Sequence, residues 1–236
     1  MLKLLLCVGM LLLTAIFISG CSKSSTGPGG NAPTLVAPVL VGPVPSLSAD
    51  TSVTALTVIG FVAQFDTIGA GYVSLFIGLS GSESGNVWTW THQYPTGGTI
   101  RWTDSTTSNG GDWKLVENGS FPNGSFDNWI ALTGYESSDG KTGNWVIFND
   151  NSTAPADSVE WSTDQQGNLD GEAVVCNSSG EVTQTVVFSG VNANHTGEAK
   201  LYAGPISTSY EDVNWTPNGG TWTIYFEGVA VNNGNW

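Results

Sequence analysis

Basic residues are scarce in this 236-residue sequence. Six Lys and Arg stand against twenty Asp and Glu, which gives a net charge of −14. Because no cluster of Lys and Arg is present to neutralise phosphates, we expect no nucleic-acid partner. The acidic balance also argues against charge-driven docking on anionic membrane surfaces. Charged residues of either sign make up only 11% of the chain, so its solvent-facing side chains have to be mostly Thr, Ser and Asn.

Histidine and cysteine, the usual groups of catalytic and metal sites, are almost absent. The two histidines, His92 and His195, have no paired Cys or His spacing around them, so we expect neither a zinc site nor a His-dependent mechanism. Beyond Cys7 and Cys21 near the N-terminus, Cys176 is the one remaining cysteine. This excludes a disulfide framework and predicts that Cys176 is a small packed side chain.

Carboxylates are more numerous, but their spacing gives no catalytic or metal motif. In the acidic stretch from Asp164 to Glu172, Leu169 stands at the position where a calcium-binding loop requires glycine. Acids such as Glu160 and Glu172 could form a glycosidase pair, yet nothing in the sequence sets them at the required separation of about 5–10 Å. We therefore expect a non-enzymatic protein without catalytic residues, metal or cofactor.

The N-terminal residues have the form of an export signal. A basic residue precedes an apolar run from Leu4 to Ile18 that is too short to span a bilayer comfortably. The run closes with Ile18-Ser19-Gly20-Cys21, which resembles the lipobox of bacterial lipoprotein signal peptides. The resemblance implies that residues 1–20 are removed and that Cys21 is lipidated, so that the lipid anchors the protein. Ser22 in place of Asp implies sorting to the outer membrane.

Two segments separate this signal from the rest of the chain. Residues 21–47 are rich in Ser, Gly and Pro, and we expect them to be a tether that carries the lipid. Residues 48–85 contain apolar side chains that recur every third or fourth position, which is the helical period. We expect an apolar helical segment there, packed against the remainder of the same domain. Its Val, Thr, Ile and Gly content leaves strands as the alternative.

Residues 86–236 contain five copies of one short pattern, Gly-x-(Trp or Ala)-x-apolar-apolar. The copies begin at Gly111, Gly143, Gly171, Gly197 and Gly220. Turn signals precede several of them: Ser108-Asn109-Gly110, Ser138-Asp139-Gly140 and Pro217-Asn218-Gly219. Asn-Gly and Asp-Gly favour hairpin turns because both residues accept positive φ. Each copy therefore predicts a tight turn followed by a strand, with the pattern's own glycine in the turn.

These patterns predict an all-β fold, an antiparallel up-and-down meander of about a dozen strands that is strongly curved or barrel-like. The period of two places the Trp, Ala and Leu positions of each copy on a core face, together with Phe226. On the opposite face the last residue of each copy is apolar or aromatic, and these residues would form a stripe: Val116, Phe148, Cys176, Tyr202 and Tyr225.

The hairpin signals and the Gly-x-Trp steps of residues 108–226 also resemble MORN-type repeat proteins. That resemblance implies successive hairpins in one long antiparallel sheet with aromatic residues on its surface. It further implies a scaffold or interaction surface rather than a catalyst.

Tryptophan is the strongest functional signal, since all ten lie beyond residue 86. Aromatic rings with Asn and acids on a β face are typical of carbohydrate-binding surfaces, whereas Trp residues that alternate on the core side serve packing. The candidates for ligand or interaction aromatics are Trp88, Trp90, Trp102, Phe148, Tyr202 and Tyr225.

Three functions remain open. The first is a lipid-anchored lipoprotein of the cell envelope, most simply at the bacterial outer membrane, that acts as a non-enzymatic structural or interaction module. Its partners would be the membrane, through the N-terminal lipid, and a protein or a glycan. The second is a barrel that binds a small apolar ligand or lipid. The third is a carbohydrate-binding surface module.

Overall fold

The computed structural model describes residues 58, 60, 71–122, 124–191 and 194–236. Thirteen strands form one antiparallel sheet in which every strand pairs with its neighbours in sequence, so the predicted meander is confirmed. The strands are β1 (Ser82–Ser84), β2 (Val87–Gln93), β3 (Thr99–Thr106), β4 (Gly110–Phe121), β5 (Gly124–Ser137), β6 (Thr142–Phe148), β7 (Pro155–Thr163), β8 (Leu169–Cys176), β9 (Val182–Val191), β10 (Gly197–Tyr202), β11 (Tyr210–Thr216), β12 (Gly219–Phe226) and β13 (Val229–Asn235).

The sheet is open. Within the described chain, β1 pairs only with β2 and β13 only with β12, so of the two predicted alternatives, a strongly curved or a barrel-like sheet, the closed barrel is excluded. A barrel needs strands of matched length and stagger where its two edges meet. Here β1 has three residues and β13 has seven, so the two edges offer no matching ladder.

The helical segment predicted at residues 48–85 lies mostly outside the described residues. Within that range, residues 71–74 form one helical turn and Ser82–Ser84 is already strand β1. Val58, Val73 and Phe76 are buried in the apolar clusters of the sheet, and the Phe76 ring lies 5.9 Å from that of Trp102. These side chains therefore cover part of one face. No helix in the described ranges is long and apolar enough to cross a membrane.

The predicted core face is confirmed by burial. Trp145, Val159 and Ala173 lie opposite one another on β6, β7 and β8 and are at most 2% exposed. Their sequence neighbours point to the other face because side chains alternate along a strand. Phe226 is the exception, since it is 59% exposed. The pairing of β12 with β13 shifts register just after Ile224, and Phe226 ends β12 beside the following turn.

The pattern's glycine has a different role from the predicted one. Gly143 lies inside β6 directly opposite Trp161, and its φ is not in the positive range. A Cβ atom at this position would overlap the Trp161 ring, so the glycine is required by a close approach within the sheet. The turn glycine is Gly140, with φ of 70°. The predicted turn is therefore confirmed, but the assignment of Gly143 to it is wrong.

The same glycine–ring contact recurs across the core face. A Cβ atom would overlap an aromatic ring of a neighbouring strand at each of Gly134, Gly171 and Gly197, and at Gly220 it would overlap the ring of Trp236, which directly follows β13. Large rings can pack flat over these backbone positions because no side chain stands between them and the sheet. This cross-strand pairing explains why Gly and Trp occur together in the pattern.

Four of the five copies also have a register shift between their fifth and sixth residues. The shifts fall at Leu115/Val116, Ile147/Phe148, Val175/Cys176 and Ile224/Tyr225. A β-bulge of this kind adds a residue to one strand and redirects the side chains beside it. The end of each of these copies is therefore a place where the alternation of the two faces is locally disturbed.

Candidate functional site

A polar groove crosses the face of the sheet that points away from the core. One row of its side chains comes from Tyr135, Asn144, Glu160 and Glu172, each opposite the next on β5 to β8. These residues alternate with the buried core residues of the same strands, which is why they share the outer face. The strand pairing therefore assembles, from four separate parts of the sequence, a ring, an amide and two carboxylates.

A second polar row lies two residues away along the same strands. It consists of Thr142, Ser162 and Asp170, which are successive partners on β6, β7 and β8. The two rows and the backbone between them line a depression of about 490 Å³ that is open to solvent. Two residues of a strand span roughly 7 Å and neighbouring strands lie about 4.8 Å apart. The polar side chains of β6, β7 and β8 thus cover an area close to that of one or two sugar rings.

Tyr135 closes one end of the groove and is held in place. Its hydroxyl donates a hydrogen bond to the carbonyl oxygen of Asn109, 3.0 Å away. Its ring packs on Gly110, where a Cβ atom would come within 2.9 Å of the ring. A ring fixed in this way loses little conformational freedom when a ligand packs on it. The apolar side chain of Val187 lies at the other end.

The acidic groups of the groove are only partly fixed. Asp170 Oδ1 accepts a hydrogen bond from the backbone N–H of Gly190, 2.9 Å away. Glu160 and Glu172 lie directly opposite each other, so their Cβ atoms are about 4.5–5.5 Å apart. Among the described residues that line the groove there is no Lys or Arg. The site can therefore accept hydrogen bonds from several hydroxyl or ammonium groups at once.

A separate set of acids lies on the covered face. Burial raises the pKa of the Glu117 carboxyl, with a further contribution from Asp150, and burial also raises the pKa of Asp157. Burial together with these three acids raises the pKa of Tyr72 to about 12. The sequence contained a signal for Glu117, because it lies two residues beyond the core-face Leu115 on the same strand.

Three of the predicted interaction aromatics are buried. Trp90, Trp102 and Tyr202 are 2%, 6% and 6% exposed, so these three candidates do not present their rings to solvent. Trp90 and Trp102 are partners on the core face, where Phe76 and its neighbours cover them. Trp88 is half-buried with its ring 6.2 Å from that of Trp90.

The predicted outer stripe is reduced to a shorter stack. The Tyr210 ring lies 5.4 Å from Tyr202 and 4.7 Å from Tyr225, so these three rings form a continuous row. Phe148 and Cys176 are half-buried at the ends of β6 and β8, beside bulges. The lipidation candidate Cys21 lies outside the described residues. Tyr210 was missed because only the pairing of β10 with β11 and of β11 with β12 brings it between the other two rings.

The described ranges contain no group of three or more His, Cys, Asp or Glu side chains placed to hold a metal ion. No protein-family model matches the chain, and no curated protein matches it.

Proposed function

We propose that the protein is a lipid-anchored, non-enzymatic binding module of the cell envelope whose outer-face groove binds a glycan. The observation that carries the proposal is the division of one open sheet into two unlike faces. One face is filled by indole rings and covered by N-terminal side chains such as Phe76. The other presents the row from Tyr135 to Glu172 to solvent.

The chemistry of the groove favours a hydroxyl-rich ligand. Sugar hydroxyls need acceptors at several positions, and Asn144, Glu160 and Glu172 supply amide and carboxylate oxygens in one line. The apolar C–H face of a sugar packs on an aromatic ring, and Tyr135 supplies one at the end of that line. The alternative of a carrier for apolar ligands loses its basis, because the sheet is open and its apolar face is occupied by the chain's own side chains.

The glycan site is tested with a glycan array and matched variants. Glu160→Gln and Asn144→Ala each remove groove acceptors without touching the core, so each should weaken binding of the best array glycan about tenfold. Asn214→Ala is the control, since it removes an amide from the same face on β11. The melting temperatures of all three should stay unchanged. Binding that survives both groove substitutions, or no glycan bound at all, would remove the assignment.

Trp90 is not a suitable position for this test. It is 2% exposed, so Trp90→Ala would leave a cavity and lower stability whatever the ligand.

The anchor is tested separately. Cells that express the chain are fed a labelled fatty acid, and the purified protein is examined for incorporation. The chain should be labelled and Cys21→Ser should not, because the cysteine of a lipobox is the acylation site in the signal that residues 18–21 resemble. Equal labelling of the two chains would contradict the proposed anchor.

A further inference from the structure

The exposed apolar side chains of this protein are concentrated at one end of the sheet. We call it the Phe226 end, because β12 ends there at Phe226 and β13 begins. Eight large hydrophobic residues are exposed in the described chain, and five of them lie at this end: Val182, Ile206, Phe226, Val229 and Val231. Ile77 and Leu79 belong to the segment that enters β1 from the same side. None of the eight lies in the turns of the opposite end, at residues 107–109, 138–141, 164–168 and 217–218.

Three of these exposed residues lie at one corner of the sheet. The β12–β13 hairpin and the loop at residues 203–209 are joined by two hydrogen bonds, from Gly228 N to Thr208 O at 2.7 Å and from Glu227 N to Ser209 Oγ at 3.0 Å. Ile206, Phe226 and Val229 protrude from this unit with 56%, 59% and 64% of their surface exposed. Phe226 and Val229 are cross-strand partners, and the loop that contains Ile206 is bonded to the turn between them. Exposed apolar side chains grouped in this way are of the kind that marks a protein or membrane contact.

The arrangement favours a flat, extended partner. The exposed residues are spread from the segment before β1 to β13, and thirteen strands at about 4.8 Å spacing extend roughly 60 Å, measured along the curve of the sheet. A second copy that packs on the corner at β12 and β13 would leave Ile77 uncovered, because Ile77 precedes β1 at the other edge of the sheet. A lipid surface can contact protrusions along the whole end of the sheet.

The charges at this end indicate which lipids it would tolerate. Its connecting loops contain Asp150, Glu181 and Glu227 and no Lys or Arg. Anionic headgroups would repel these carboxylates, whereas zwitterionic headgroups would not.

We propose that the Phe226 end lies against a zwitterionic lipid surface, so that the strands stand away from the bilayer and hold the outer-face groove above it. The inference rests on the lipid anchor of the proposed function. The direction of the chain agrees with it, because the chain enters β1 from the Phe226 end, which is the docked end. The corner contributes contact area, and the lipid supplies the attachment.

The test compares two labelled positions at the ends of the same strand. Thr208→Cys lies at the corner and Asn218→Cys lies in the turn before β12, both exposed. The eight residues of β12 separate the two ends by about 27 Å. Each variant also carries Cys176→Ala, is purified as the lipid-anchored protein and labelled with bimane. It is then reconstituted into phosphatidylcholine vesicles that contain spin-labelled lipid as the quencher.

We expect strong quenching at Thr208→Cys and little at Asn218→Cys. Adding Phe226→Ser should reduce the ratio of docked to undocked protein about tenfold, because it removes the largest side chain of the corner. Thr221→Ala, at the other end of β12, is the control and should change nothing. Replacing a third of the lipid with phosphatidylglycerol should weaken the quenching at Thr208→Cys.

The other outcomes separate the two proposals. If the chain is not retained on the vesicles, the lipid anchor has failed and this inference fails with it. If it is retained but both positions are quenched equally, or Thr208→Cys is not quenched, the docked orientation alone is overturned. The amount of protein per vesicle and the amount of spin-labelled lipid are varied separately. If protection of the bimane at Thr208→Cys depends on the protein density and its quenching does not depend on the spin-labelled lipid, the corner binds a second copy and the lipid surface is ruled out.

Discussion

Gly143→Ala tests the pairing of glycine and indole that organises the sheet. Gly143 lies opposite Trp161, and a Cβ atom there would overlap the indole ring and the carbonyl oxygen of Tyr135. Trp161 is 7% exposed, so the ring cannot swing into solvent. Overpacking of this kind costs about 1–3 kcal/mol. The loss of backbone freedom in the unfolded chain offsets about 0.4–1 kcal/mol, so we expect a net destabilisation of about 1–2 kcal/mol.

A double-mutant cycle then identifies the cause. Trp161→Phe alone should destabilise the domain, because it leaves a cavity in the core. In the Gly143→Ala background the smaller ring also makes room for the new methyl group. The two changes should therefore cost about 1 kcal/mol less together than the sum of the single changes. Free energies of unfolding from urea titrations of all four chains measure this coupling.

The control for this cycle is a glycine that the backbone requires. Gly140 has φ of 70° in the turn before β6, so Gly140→Ala should destabilise through strain and show no coupling with Trp161→Phe. Additive effects of Gly143→Ala and Trp161→Phe, or a Gly143→Ala chain as stable as the parent, would refute the close-approach argument.

Two further predictions concern ionisation. Because burial raises the pKa of Glu117 and Asp157, the folded state binds more protons than the unfolded state above the ordinary carboxyl range, so stability should fall as pH rises above about 4. Hydrogen bonds lower the pKa of Asp164, so stability should also fall below about pH 4. A melting temperature that rises steadily to pH 8 would contradict the raised pKa values of Glu117 and Asp157. Burial and Asp157 raise the pKa of the Cys176 thiol, so its alkylation by iodoacetamide should be slow at pH 8 and faster in Asp157→Asn. An unchanged rate would show that Asp157 does not act on the thiol.

The strand content and the core face were predictable because they depend on local information. Each strand shows the period of two, and Asp-Gly and Asn-Gly signals such as Asp139-Gly140 mark the turns. Once Trp145 is assigned to the core face, Ile147 follows, and both pack in the core of the structure.

What could not be predicted depends on the register between strands. The requirement for glycine at position 143 exists only because Trp161 is its partner, and the two lie in different hairpin strands. Trp90 could not be assigned to the core, since its burial depends on what covers that face, including Phe76 from the ambiguous N-terminal segment. The open edge depends on the curvature of the whole sheet, which no single repeat contains.

The candidate site was recognised only in part. Glu160 and Glu172 were noted as acids that could pair, and the structure places them opposite each other. Tyr135 gave no signal, because it belongs to a returning strand outside the repeated pattern. Its place at the end of the groove follows from its pairing with Asn144, which is a property of the folded sheet.

Amide NMR mapping of the bound glycan tests the central claim most directly. The ¹⁵N spectrum of the protein is recorded while the best glycan from the array is added. The proposal predicts that the shift changes concentrate on Asn144, Glu160 and Glu172 and their strand neighbours, and that the row from Tyr202 to Tyr225 is unaffected. Changes centred on that tyrosine row, or a spectrum that does not respond to the glycan, would contradict the claim that the outer-face groove is the binding site.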